Sequence, residues 1–322
     1  MNNKTGKILK SVGGFFHVET LDGMLLCTAR GVFRLKGITP VAGDDVIVEI
    51  IDNSPVITDV SERKNYIVRP PLANIDAAII VISTVEPAPN RLILDKLIAI
   101  FESKGIEPIP LFTKIDKKED DELYRIYEKS GFKVFSISNE SGEGVDKLHK
   151  FLLGTQDAFS ADSLPDRLSD TVCDSPRKKT CVLVGNTGVG KSSTLNSLFP
   201  ELTLETAEIS KKLGRGKHTT RQVELYRLDS MSSPVYIADT PGFSTVEAAK
   251  YGKLASSDVG MCFREFIPFL DKCRFSGCRH TKEDGCAVIM AKERGDITES
   301  RFESYVRIYE EARTEEKNYK KR

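Results

Sequence analysis

The sequence predicts a multidomain α/β protein with an N-terminal β-barrel, a central domain of alternating strands and helices, and a C-terminal helical segment around metal ligands. Three observations predict it. Short β segments separated by Gly, Asp and Pro follow one another closely up to about residue 70, the pattern of a small barrel. From Asp76 onward, apolar runs of strand length alternate with helical periodicity, which implies parallel βαβ units. Near the C-terminus, Cys273, Cys278, His280 and Cys286 crowd together ahead of a helical tail.

Composition sets the outer limits. The 322 residues carry 47 Lys plus Arg against 47 Asp plus Glu, so a protein that is basic all over and coats nucleic acid non-specifically is excluded. Hydrophobic residues at 40% and charged residues at 29% suit ordinary core-forming domains, and the length allows two or three of them. No apolar run reaches the roughly 18 to 20 residues of a membrane span. The start, MNNKTGKILK, has no apolar stretch after its basic residues, so a cytoplasmic protein is expected. Seven cysteines in such a chain point to reduced thiols or metal ligands before disulfides.

Taken in order, GKILKSVGG, FFHVET, MLLCTARG and DDVIVEI form the barrel strands, ITDVSERKNYIVR follows, and Pro70 and Pro71 close the segment. DAAIIVIST reads as a strand buried on both faces. NRLILDKLIAIFESKG reads as a helix, with Asn90 as N-cap and Gly105 as its stop. EPIPLF and FKVFSIS are strands, separated by a charged helix from about Glu119 and followed by a helix near Val145 to Leu153. The polar stretch 154–178 has two prolines and no period, so it reads as a linker or disordered insertion. KTCVLV resumes the alternation. In the tail, Phe302, Tyr305, Val306 and Tyr309 form a helical stripe.

Four short motifs carry the chemistry of the central domain. Gly185-Asn186-Thr187-Gly188-Val189-Gly190-Lys191-Ser192 follows a strand and, with Ser193, opens a helix, the context that makes G-x-x-x-x-G-K-[ST] a phosphate loop. Its backbone N–H groups suit a phosphate, Lys191 suits the β- and γ-phosphates, and Ser192 suits Mg²⁺. Asp239-Thr-Pro-Gly242 ends the run VYIA, placing an acid for Mg²⁺ and a glycine N–H for the γ-phosphate. Thr113-Lys114-Ile115-Asp116 follows PIPLF; a carboxylate there accepts from guanine N1–H and N2–H₂, which adenine does not offer. Lys114 would lie along the base, and Ser136-Ile-Ser138 would bring a backbone N–H to guanine O6.

The order of these motifs is permuted, with the base-reading loops ahead of the phosphate loop. Between Gly185 and Asp239 lies KKLGRGKHTTR, residues 211–221, with five Lys or Arg and no acid. It reads as a switch in which Thr219 or Thr220 supplies a Mg²⁺ hydroxyl. Phe243 stands where many GTPases carry a water-orienting Gln, which makes His218 the catalytic candidate. Three thiols and an imidazole at Cys273, Cys278, His280 and Cys286 complete a tetrahedral set for one structural Zn²⁺. Cys27, Cys173, Cys181 and Cys262 read as bystanders. An ATPase or phosphotransferase, and a non-catalytic nucleic-acid module, are the competing readings; Asp116 weighs against the first, and intact Lys191, Ser192 and Asp239 against the second.

Together these features resemble the ribosome small-subunit-dependent GTPase A family of bacterial ribosome biogenesis factors. The resemblance rests on CTARGVFRL, GDDVIVEI, ERKNYIVRP, GNTGVGKSS, GRGKHTT, DTPGF and CRFSGCRH. It implies an OB-fold barrel over residues 1–70, a circularly permuted GTPase domain over 71–246 and a zinc-binding, mostly helical domain over 247–322. It implies a hydrophobic residue in place of the Gln (Phe243), the switch His218, one Zn²⁺, and Mg²⁺ with GTP. It further implies a monomer that binds the small ribosomal subunit and its rRNA, with GTP hydrolysis stimulated by that subunit and the factor released afterwards. Thr113 departs from the usual Asn, Asn139 from the usual Ala, and 154–178 is longer than the usual connection.

Overall fold

The computed structural model describes residues 3–31, 33, 37–118, 121–153, 179–200, 223–228, 234–239 and 252–320. The expectations for 154–178, for the switch residues His218, Thr219 and Thr220, and for Gly242 and Phe243 lie outside the described residues. The chain forms two compact units, the first holding Met1–Ala77, Ser138–Leu183 and Lys191–Gly242, the second Ala78–Ile137, Val184–Gly190 and Phe243–Arg322.

In the first unit, β1 (Lys4–Val12), β2 (Phe15–Thr20), β3 (Gly23–Ala29), β4 (Asp45–Ile51) and β5 (Ser54–Val60) close on themselves. β1 pairs with both β2 and β4, β2 with β3, β3 with β5, and β5 with β4, which leaves no free sheet edge in the ring. Alternation places Ile8, Phe16, Val18, Cys27, Val46, Val48 and Ile57 in one core with Phe33. Below it, Asp44 is buried and takes a bidentate pair from Arg63 at 2.7 and 2.8 Å, the geometry that best offsets the cost of burying a carboxylate. A short hairpin, β6 (Tyr66–Val68) with β7 (Pro71–Ala73), follows.

The strands that alternate with helices begin at β8 (Ala77–Ser83), every residue of which is buried. In the second unit β8 lies beside β9 (Glu107–Thr113), which pairs in parallel with β10 (Phe135–Ile137). α1 (Arg91–Ser103) starts where Asn90 accepts a hydrogen bond from the Ile93 N–H at 3.1 Å, as an N-cap does, and it ends at Gly105. α2 (Asp121–Lys129) follows β9. In the first unit come α3 (Val145–Leu153), β11 (Lys179–Val184), α4 (Lys191–Leu198), β12 (Glu224–Leu228) and β13 (Val235–Asp239). β13 runs parallel to β11 and antiparallel to β12, and β12 meets the barrel strand β1 at Lys10↔Glu224.

The C-terminal part of the second unit is helical, as expected, but begins with two 3-10 segments, Val259–Cys262 and Arg264–Lys272, the latter holding Pro268. α5 (Ala287–Glu293) and α6 (Glu299–Lys320) complete it. Phe263, Phe266, Phe302, Tyr305 and Tyr309 pack their rings into one core, with Phe263 edge-on to Tyr305. Arg301 is also buried there. It donates to Asp95 on α1 at 2.6 Å and to Glu265 at 2.7 Å, and its guanidinium lies 4.4 Å from the Phe263 ring centroid. Among the described residues no helix is long and apolar enough to cross a membrane.

Candidate nucleotide site and metal centre

The turn between β11 and α4 has the backbone a phosphate loop requires. Gly188 and Gly190 sit at φ +85° and +101°, conformations that a side chain would strain. Gly185 answers to a close approach instead: a Cβ there would lie 2.5 Å from the Val81 carbonyl oxygen of β8. Val189 is buried, which anchors the loop's apex. α4 opens at Lys191, with Ser192 and Ser193 exposed in its first turn and Thr194, Leu195 and Leu198 buried. The loop's N–H groups supply donors suited to an anion.

The sequence-predicted base loop is tied to this turn by two hydrogen bonds. Thr113, fully buried at the end of β9, donates its hydroxyl to the Val189 carbonyl at 2.6 Å. Lys114 adopts φ +64° and donates its ammonium to the Gly188 carbonyl at 2.9 Å and to the Glu86 carbonyl. Thr84 fastens the loop from the other side, its N–H donating to the Thr113 carbonyl at 3.1 Å and its hydroxyl to the Lys114 carbonyl at 3.1 Å. Lys117 N–H closes a turn onto the Lys114 carbonyl, and this leaves Ile115 half-buried and Asp116 exposed at the tip.

Ser136 lies within β10 and is half-buried. Ser138 is buried and builds the next turn: its hydroxyl accepts from the N–H groups of Glu140 and Ser141, and its own N–H donates to the Glu143 carbonyl at 3.0 Å. Asn139 donates to the Thr194 hydroxyl at 3.3 Å, so it contacts the helix that follows the phosphate loop, a role its sequence position did not reveal. Asp239 is the last residue of β13 and lies opposite Glu224. The parallel register of β11 and β13 runs through Val182↔Ala238, which places Asp239 level with the carboxyl end of β11, the usual ligand edge in α/β sheets.

The metal centre is assembled from side chains. Donor atoms of Cys273, Cys278, His280 and Cys286 all lie within 4.8 Å of one another. His280 Nδ1 is 3.4 Å from both Cys273 Sγ and Cys286 Sγ, and those sulfurs are 3.9 Å apart. A tetrahedral Zn²⁺, with bonds of about 2.3 Å to sulfur and about 2.0 Å to nitrogen, implies sulfur–sulfur edges of ~3.8 Å and sulfur–nitrogen edges of ~3.5 Å. The donor set therefore fits that ion. His280 reaches the cluster at φ +54°. The Glu283 carboxylate holds the loop by accepting from the N–H groups of Arg279, Thr281 and Lys282, and these bonds pull its pKa down against the opposing effect of burial. Tyr305 on α6 donates to the Arg279 carbonyl at 2.7 Å. Burial pushes the Cys286 thiol up to about 12 and lowers His280, so these two donors favour their neutral forms until a cation draws out the thiolate. Cys27, Cys181 and Cys262 are buried core thiols.

Comparison with known proteins agrees with this architecture. The family model described as RsgA GTPase matches residues 60–163 and 166–249, and that described as RsgA N-terminal domain matches 5–56. The chain is 40% identical to a protein of Oceanobacillus iheyensis named small ribosomal subunit biogenesis GTPase RsgA 2, over 98% of this chain and 99% of that protein. It is 36% identical to the RsgA of Caldanaerobacter subterraneus, over 98% of each. Among solved structures, YjeQ of Thermotoga maritima superposes with a TM-score of 0.73 at 28% identity, covering 97% of this chain and 99% of that one. YloQ, described as a circularly permuted GTPase, gives 0.71 at 29% identity, covering 98% and 96%.

Proposed function

The chain belongs to the RsgA GTPase family and is a GTP hydrolase of small ribosomal subunit biogenesis; we propose that it binds the small subunit and its rRNA in the GTP state and leaves after subunit-stimulated hydrolysis. The observation that carries the nucleotide reading is the pair of bonds from Thr113 and Lys114 to the Val189 and Gly188 carbonyls. They fasten the base loop to the phosphate loop, which supports a ligand presenting a base and phosphates at a fixed spacing.

In this reading the N–H groups of Gly185–Ser193 receive the phosphates and Lys191 neutralises the β- and γ-oxygens. Asp116 selects guanine, with Lys114 and Ile115 against the base plane and the Ser136–Ser138 turn at its O6 edge. Ser192, Thr219 or Thr220, and Asp239 hold Mg²⁺, which when bound neutralises phosphate charge. Gly242 is assigned to the γ-phosphate and His218 to the attacking water, as their motifs suggest. Cys273, Cys278, His280 and Cys286 hold one Zn²⁺, which when bound fixes the loop that carries Lys272, Arg274, Arg279 and Lys282. The three domains 1–70, 71–246 and 247–322 act as one monomer in the cytoplasm.

Sedimentation with purified small subunits tests the proposal. Co-migration in a non-hydrolysable GTP analogue and release in GDP are expected; equal co-migration in both contradicts the nucleotide-gated cycle.

A further inference from the structure

We propose that Lys10 and Glu19 of the barrel are positioning residues for the Mg²⁺–nucleotide site, acting through the β12–β13 ribbon; this rests on the nucleotide reading above. Lys10 of β1 pairs with Glu224 of β12, and Glu224 in turn pairs with Asp239 of β13. A single row of residues thus runs from the barrel to the acid assigned to Mg²⁺. Along that row Lys10 Nζ lies 2.7 Å from Glu224 Oε2, with both side chains mostly buried.

A second latch grips the same ribbon three residues further from its end. Arg227 and Tyr236 are direct cross-strand partners. The Glu19 carboxylate accepts from both, from Arg227 Nη1 at 2.9 Å and from the Tyr236 hydroxyl. Glu19 is 8% exposed and Tyr236 0%, so the bond to the Tyr236 hydroxyl is shielded from water, while Arg227 reaches the same carboxylate from the exposed side.

Register is what these latches secure. A one-residue slip of β12 against β13 turns every side chain to the opposite face, and the last rung of that ladder is Asp239. Lys10 holds the residue opposite Asp239, and Glu19 spans a complete rung. A contact serving only to attach the barrel has no need to fall on the rung opposite Asp239 or to bridge both strands of one ribbon. On this proposal the barrel contacts and Mg²⁺-dependent nucleotide binding are coupled, and linkage then makes the coupling equal in both directions.

The test uses the full-length protein and a fluorescent, non-hydrolysable GTP analogue titrated across Mg²⁺ concentrations. Glu19→Gln and Lys10→Met are each expected to raise the Mg²⁺ concentration for half-maximal tightening by about three- to tenfold. Affinity in EDTA should stay unchanged, and Lys10→Glu combined with Glu224→Lys should restore the wild-type Mg²⁺ requirement. Lys10 is less buried than Glu19, so the Lys10 variants keep the test available if Glu19→Gln does not fold. An unchanged Mg²⁺ requirement in folded variants overturns the proposal, as does an equal loss of affinity with and without Mg²⁺. Wild-type protein that shows no Mg²⁺-dependent tightening overturns the nucleotide reading itself, and the positioning role with it.

Discussion

Around the phosphate loop, position is held by backbone; around Cys273, it is held by side chains. The first region rests on left-handed glycines, on Gly185 against the Val81 carbonyl, and on Thr113 and Lys114 bonded to carbonyls of the loop. The second rests on three sulfurs, one imidazole and a core of aromatic rings crossed by buried Arg301. A backbone cradle keeps its form without its ligand, because its glycine conformations and the bonds to its Gly188 and Val189 carbonyls are made by the protein itself. A cluster of side-chain donors, with His280 and Cys286 buried and Cys273 and Cys278 half-buried, loses its common partner when the ion is removed. The two regions should therefore respond differently to removal of what they bind.

Metal removal gives the largest effect. Structural Zn²⁺ sites contribute on the order of 10 kcal/mol at neutral pH. Chelation in nucleotide-free protein should lower the melting temperature more than any single substitution discussed here, and zinc should restore it. A melt that ignores the chelator, in protein shown by metal analysis to have lost its zinc, removes the contrast. Next comes Arg301→Met. Truncating one partner of a buried ion pair strands the others and costs about 3–5 kcal/mol, here Asp95 and Glu265 together. Urea denaturation measures it.

Asp116→Asn leaves the loop's backbone intact and should act on recognition alone. Two hydrogen bonds to a charged acceptor are at stake, so GTP affinity should fall at least about a hundredfold, while a xanthine nucleotide, with an acceptor in place of the N2 donor, should gain. Smaller still is Thr113→Val. It leaves the Val189 carbonyl without its hydroxyl partner and should weaken GTP binding roughly tenfold, with KM affected more than kcat and Thr113→Ser restoring most of the loss.

The smallest effect is on pH dependence. Burial, opposed by Arg264, pushes Glu102 up to about 7 from an ordinary 4.5, and Arg264 divides its guanidinium between Glu102 and Glu107. A raised carboxyl favours the protonated fold, so its contribution is complete below pH 4.5 and is lost as pH rises through 7. Denaturation midpoints of Glu102→Gln should vary less over that window than those of the wild type.

Much of this was legible in the sequence because the features depend on local chemistry. Asn90 caps α1 and Gly105 ends it as their residue types require, and α3 spans Val145–Leu153 as the periodicity predicts. The four zinc-type donors stand in sequence within one loop, and the structure brings them together. What sequence did not reveal depends on contacts between distant segments. Nothing around Arg301 announces burial, since the apolar stripe beside it accounts for α6 as an ordinary amphipathic helix; its partners lie 206 and 36 residues away. The Glu19–Tyr236 bond spans 217 residues. Thr113 looked like a departure from a base-contacting Asn, and only the fold places its hydroxyl on the Val189 carbonyl. The 3-10 stretch Arg264–Lys272 contains Pro268, a residue that marks a break in α-helix but does not specify the alternative.

The central claim is a guanine nucleotide whose hydrolysis answers to the small subunit. The direct measurement is steady-state phosphate release from GTP and from ATP, each with and without purified small subunits. The account predicts slow release from GTP alone, on the order of 10⁻⁴ s⁻¹ as in GTPases lacking a supplied catalytic group, a large increase when subunits are added, and no comparable increase with ATP. Equal turnover of GTP and ATP, or a GTP rate that subunits leave unchanged, would contradict it.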